Sequence, residues 1–175
     1  KTLGADMVFI YSAPKYLTGP TKNATECYVA LGLFTYPFNA TIINDLSHVS
    51  GVERTVPVLI DRMMPCVYSI TICGIDPSET TTNVVLPRHV IKGRYLNPTD
   101  RDVALIDRDY ALKYNLTVGS KVEYMSMLTA YKKSNYTVVG IVEVGTMSLI
   151  RSTIYVNLPD AQEALKEPRQ VNIAL

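Results

Sequence analysis

At 175 residues and 19.4 kDa the chain is long enough to bury a substantial core, and domain-size statistics favour one domain, or one carrying an inserted subdomain, over two unrelated ones. With 47% apolar and 19% charged residues, the composition excludes a disordered tail. A formal net charge of +1, with Lys and Arg scattered singly or in pairs such as Lys132-Lys133, excludes a basic stripe that could track nucleic acid.

In chain order, Asp6 to Tyr11 (DMVFIY) is a short apolar run suited to a buried strand, and Ser12 to Thr25 is a Pro-, Gly- and polar-rich loop. The apolar segment Tyr28 to Phe38 is the longest candidate for a membrane span. It is interrupted by Gly32 and Pro37 and falls short of the roughly 20 residues a spanning helix needs. The chain is therefore expected to be soluble as it stands. With Lys1 at its start and the strand-like run Val171 to Leu175 at its end, it reads as a piece excised from a longer polypeptide. Asn39 is placed to cap a helix with Ile42, Ile43, Leu46 and Val49 on one face, and Gly51 to end it. The β-branched runs Val52 to Ile60 and Val67 to Gly74 predict two strands.

From Pro77 to about Ser152 the pattern changes to short strands at Val103–Ile106, Lys121–Met125 and Tyr136–Val144, with one short helix after Asp107 and a turn at Val118-Gly119-Ser120. Thr153–Val156 then predicts a strand, Pro159 a helix opening that runs to Lys166, Pro168 its stop, and Val171–Leu175 another strand. The expected fold class is α+β. A split strand-helix-strand subdomain of residues 1–76 and 151–175 would carry a β-rich insertion of residues 77–150.

Site chemistry is sparse. Cys27, Cys66 and Cys73 form no Cys-x-x-Cys pair and allow at most one disulfide; burial as small apolar residues is the plainer reading for Cys66 and Cys73. His48 and His89 have no second ligand at metal-binding spacing, and Asp100 and Asp102 near Asn97 lack the Gly and terminal Glu of a calcium loop, so turn capping is expected there. No phosphate-cradling Gly-Lys-Ser/Thr loop and no Gly-x-Ser-x-Gly elbow occurs. No catalytic, metal or cofactor-binding residue is assigned, and Arg94 is expected to brace a loop through Asp100, Asp102 or Asp107. Tyr28, Phe34, Tyr36 and Phe38 would make a contact surface for a partner or substrate if exposed, or a packed strand if buried. Four glycosylation sequons occur, at Asn23, Asn39, Asn115 and Asn135. With nine Asn and 27 Ser or Thr, random placement would give 9 × 27/175, about 1.4. The excess points to a cell exterior.

Taken in order, SGVERTVPVL (Ser50–Leu59), CGIDP (Cys73–Pro77), IKGRYL (Ile91–Leu96), DVALID (Asp102–Asp107), TVGSKV (Thr117–Val122), YTVVGIVE (Tyr136–Glu143) and TIYVNLPDAQEAL (Thr153–Leu165) resemble the extracytoplasmic domain of ABC-transporter permeases of the MacB and FtsX type. The resemblance implies an α/β half called Porter split by a β-rich insertion called Sabre. It also implies a non-enzymatic membrane-protein domain outside the cytoplasm, without a cofactor of its own. The expected partners are transmembrane helices of the parent chain, a cytoplasmic ATP-binding subunit, a second permease copy, and an external cargo such as a peptide, lipid, lipoprotein or drug-like molecule; nucleic acid is not among them. The alternative within this resemblance is an FtsX-like regulatory module that recruits an external partner such as a cell-wall hydrolase. Sequons on a protein of this kind would suit an archaeal host.

Overall fold

The computed structural model describes residues 37–61, 70–81, 83–125, 132–144 and 153–175, together with the backbone of 9–10. The strands are β1 (Phe9–Ile10), β2 (Phe38–Asn39), β3 (Pro57–Ile60), β4 (Thr71–Ile75), β5 (Val90–Gly93), β6 (Val103–Asp107), β7 (Lys121–Met125), β8 (Lys133–Val142), β9 (Thr153–Asn157), β10 (Gln170–Val171) and β11 (Ile173–Ala174). The helices are α1 (Thr41–Ser47), α2 (Arg108–Lys113) and α3 (Leu158–Leu165). Among the described residues no helix is long and apolar enough to cross a membrane.

One mixed sheet runs β1-β11-β3-β4-β9-β6-β8-β5, with β7 pairing the first half of β8 beside β5. A two-stranded sheet joins β2 to β10. The architecture is α+β. Central strands β4, β6 and β9 are buried on both faces, which is why they read as continuous apolar runs rather than alternating ones. By contrast β7 alternates exposed and buried residues along Lys121–Met125, as expected of a strand with one face in water.

The two faces of the sheet carry separate cores. On one, Leu59, Ile72, Ile154 and Val156 pack with Ala104, Ile106, Val138 and Tyr136 beneath α2 and α3. On the other, Val58, Cys73, Ile75 and Tyr155 pack with Val85, Leu96, Leu105 and Val142. Both clusters draw from either side of the 76/77 and 150/151 positions, and the sheet crosses them through the antiparallel pairs Leu105–Tyr155 and Ile106–Ile154.

Several expected elements change length. The strand expected over Val52–Ile60 is confined to Pro57–Ile60, where β11 and β4 supply ladder partners. That expected over Val67–Gly74 is seen at Thr71–Ile75, with 67–69 outside the described residues. Val171–Leu175 is not one strand but two. Asn172 occupies the break and bonds the Ile60 backbone with its side chain, Nδ2 donating to the Ile60 carbonyl at 2.7 Å and Oδ1 accepting from the Ile60 N–H at 2.9 Å. The N-cap of α1 is Ala40, without a side-chain cap, and not the expected Asn39, which ends β2 and accepts from the Thr41 N–H at 3.0 Å; Ile43 is buried and Val49 lies exposed beyond the helix end. The helix after β9 spans Leu158–Leu165 with Pro159 in its first turn, and Lys166 closes it in the left-handed conformation.

Candidate functional site

A polar network lies where the segment linking β5 to β6 crosses onto β9 and α3. It begins at Gly93, whose φ of +81° and whose approach to β8 both demand the absence of a side chain. A Cβ there would lie 2.3 Å from the Val139 carbonyl oxygen and 2.9 Å from Gly140 Cα. The glycine turns the chain into Arg94, which grips Asp100 with two parallel hydrogen bonds, Nη1 to Oδ2 at 2.6 Å and Nη2 to Oδ1 at 3.1 Å. Asp100 Oδ2 also accepts from the Asn97 N–H at 2.9 Å, so the carboxylate closes its own turn. The Arg94 hydrogen bond holds the Asp100 carboxyl below the usual carboxylate range, against a smaller opposing effect of partial burial. Leu96 is buried in the core, and the Tyr95 hydroxyl donates to the Val85 carbonyl at 2.8 Å, so the loop is pinned on both sides.

This loop is clamped from the other half of the chain by Asn157, the last residue of β9 and the residue immediately before α3. Only 2% exposed, Asn157 does not use its side chain to cap its own helix. Its Nδ2 instead donates to the carbonyls of Asn97 at 2.9 Å and Asp100 at 2.8 Å. Its Oδ1 is buried without a hydrogen-bond partner among the described residues. One turn into α3, Asp160 accepts from the Asp102 N–H at 3.1 Å, with Arg101 Nε at 3.7 Å. Asp102 holds φ at +52°, a left-handed conformation that Asp tolerates better than most residues. Burial pushes the Asp160 carboxyl above its ordinary range, opposed by the Asp102 amide and Arg101. A second tie between the halves is buried in the core, where the Tyr124 hydroxyl of β7 donates to Asp61 at the end of β3. Chemically, the network is a set of donors and acceptors that, Asn157 Oδ1 apart, satisfy one another and fix a loop against a strand end and a helix start.

The residues singled out in the sequence are not gathered here. Asn39, Asn115 and Asn135 lie exposed on β2, on the α2–β7 loop and on β8, respectively. Of the two alternatives for the aromatic segment, Phe38 takes the packed one: it is 5% exposed and packs with Ile43, Val171 and Ala174, because pairing of β2 with β10 turns its ring inward. Asn23, Tyr28, Phe34, Tyr36, Cys27 and Cys66 lie outside the described residues. His48 is exposed with Nδ1 against the Asn44 carbonyl at 2.6 Å, and His89 Nδ1 accepts from the Leu86 N–H at 3.2 Å. Burial and the nearby Arg88 lower the pKa of the His89 imidazole. The internal partner expected for Arg94 is Asp100. Sequence reasoning missed Asn157 and Asp160, whose partners are about 60 residues away. The available signal was a polar Asn closing the buried strand TIYVN.

With the sheet order and the polar junction described, the chain has the fold of the extracytoplasmic domains of ABC-type transporters of the MacB kind. It is similar to the extracellular domain of the noncanonic ABC-type transporter YknZ from Gram-positive bacteria, at 17% identity over 95% of this chain and 80% of that one, with a TM-score of 0.55. It is also similar to the periplasmic region of MacB from Actinobacillus actinomycetemcomitans, at 12% identity over 95% of this chain and 71% of that one, with a TM-score of 0.57. No family model and no curated protein matches the chain.

Proposed function

We propose that the chain is the extracytoplasmic domain of an ABC-transporter permease of the MacB/FtsX type, transmitting ATP-driven motion from the membrane to an external cargo. The observation carrying this reading is a fold shared with two such external domains over 95% of the chain. Fold alone does not fix function, so the local physics matters. Cores on both sheet faces, the Asn157 clamp and the Asp160–Asp102 bond join residues 77–150 to the strand-helix-strand half, which suits a body that moves as one piece. In this reading ATP is hydrolysed by a separate cytoplasmic subunit and this domain is not an enzyme. Its companions are the parent chain's transmembrane helices and a second permease copy. An exposed aromatic surface over 28–38 would favour the regulatory alternative; Phe38 is buried, and Tyr28, Phe34 and Tyr36 lie outside the described residues.

The test places Cys at exposed Lys92 of β5 in the parent membrane protein, with the unsubstituted protein as background. A membrane-impermeant maleimide labels K92C in intact cells under this reading; labelling only after permeabilisation overturns the location. Spin labels at the same position in the purified transporter should change their copy-to-copy distance between nucleotide-free and ATP-bound states. An unchanged distance overturns motion transmission.

A further inference from the structure

We infer that Asn115 is an N-linked glycosylation site, resting on the extracytoplasmic location proposed above. Three of the four sequons fall among the described residues and all three asparagines are exposed, but their backbones differ. Asn135 sits inside the β7–β8 ladder opposite Glu123, and the hydroxyl of its sequon partner Thr137 accepts from Lys121 Nζ at 2.7 Å. Asn39 lies in β2, paired with Gln170, with its Oδ1 engaged by the Thr41 N–H at 3.0 Å. Asn115 alone of the three lies in a surface loop, the setting in which acceptor sequons serve. It follows α2 with φ at +52°, and both Asn115 and Thr117 are exposed while Leu116 between them packs on the core.

A second observation points to the same place. Leu112, Tyr114 and Val118 are 69%, 46% and 41% exposed, and they flank Asn115 within three residues on either side. Half of the large apolar side chains that stand out as exposed among the described residues therefore belong to this one stretch. All three lie within three residues of Asn115, in reach of a saccharide attached there. The Tyr114 ring meets the buried Tyr110 ring edge to face at 5.0 Å and Lys113 Nζ at 5.2 Å, and its remaining exposed surface can take a sugar C–H face. In the transfer, Asn115 Nδ2 bonds to the anomeric carbon of a polyprenyl-phosphate- or pyrophosphate-linked saccharide. The anomeric C–O bond to the carrier breaks, the carrier leaves as its phosphate anion, and one amide proton passes to a base.

The test uses the parent membrane protein isolated from its own cells and digested with trypsin, which releases Tyr114–Lys121 as one peptide. That peptide should carry a saccharide mass increment with sugar fragment ions, and Thr117→Val should abolish the increment while leaving the φ-demanding Asn115 in place. An unmodified peptide, or saccharide on the Asn39 or Asn135 peptides alone, overturns the assignment when K92C labels from outside. If K92C labels only after permeabilisation, the extracytoplasmic reading fails and the glycan assignment fails with it.

Discussion

Replacing Asn157 with Ala removes one side-chain amide and strands the two buried-side carbonyls it serves, those of Asn97 and Asp100 at 2.9 and 2.8 Å. Leaving a buried polar group unsatisfied costs about 1–3 kcal/mol. The 97–100 loop is partly exposed, so water recovers some of that loss, and deleting the unpartnered Oδ1 offsets more, leaving an expected destabilisation of about 1–3 kcal/mol. For a domain of this size each kcal/mol lowers Tm by about 2–4 °C, so the variant should melt about 2–12 °C below the parent. Urea unfolding followed by circular dichroism measures it. Asn157→Asp sharpens the test, because it keeps the shape but turns a carboxylate toward two carbonyl oxygens. At neutral pH it should be no more stable than the Ala variant. An N157A protein within about 0.5 kcal/mol of the parent, or N157D as stable as the parent, would refute the clamp as a structural necessity.

Gly74 of β4 lies under α3, where a Cβ would meet Ala161 Cβ at 2.5 Å; Gly74→Ala should cost about 1–3 kcal/mol in chemical denaturation, and Ala161→Gly added to it should recover part of the loss. Tyr124→Phe deprives buried Asp61 of a donor and should cost about 1–3 kcal/mol by the same assay, whereas loss of a few tenths would show that the contact carries little. The Asp160 carboxyl has its folded pKa raised by burial, so the folded state binds more protons than the unfolded one in the window above about 4. Its contribution is therefore most favourable in acid and declines as pH rises through the folded pKa. Asp160→Asn should gain stability relative to the parent between pH 4 and pH 7, and a pH-independent difference would contradict the raised pKa. Asp100 has the opposite sign. Its pKa is lowered by Arg94, so the stabilisation it gives is present at neutral pH and is lost as pH falls below about 4, through the folded pKa. Arg94→Lys, which loses the two-pronged contact, should reduce that acid dependence while costing under about 1 kcal/mol at this half-exposed site.

What could be seen in the sequence depended on how local its cause was. The β9–α3 unit was legible because a β-branched run, a first-turn Pro159 and a later Pro168 act within 16 residues of one another. The strand DVALID and the alternating KVEYM were legible for the same reason. Strand β5 was not. Its sequence Val-Ile-Lys-Gly has no clean period, Gly93 leaves the ordinary β region, and the strand exists because β8 pairs with it from some 50 residues away. The split between β10 and β11 was equally hidden, since Asn172 replaces a ladder rung with side-chain bonds to Ile60, 112 residues distant. At the junction, Arg94–Asp100 was within reach because six residues separate them, while Asn157 and Asp160 became meaningful only when the sheet brought β9 beside β6.

If this domain relays motion, the junction decides whether it does so as a lever or as a hinge. A hinge needs a few residues that absorb backbone rotation with little buried surface between the moving parts. Here Leu105 and Ile106 pair with Tyr155 and Ile154, and those four side chains are divided between the two cores. Rotation about that seam would open apolar contact on both faces of the sheet together, and would break the Asn157 and Asp160 hydrogen bonds as well. Exposing even two such side chains costs several kcal/mol at about 1.5–3 kcal/mol each. Under the proposed function, a torque applied at β4 and β9 would therefore be carried through this seam to β6 and β8. Spin labels placed on Lys92 and Lys166 of one chain should keep a fixed separation through the nucleotide cycle, even as the Lys92 positions of two copies move apart. A change within one chain comparable to the change between copies would make the seam a hinge and refute the lever.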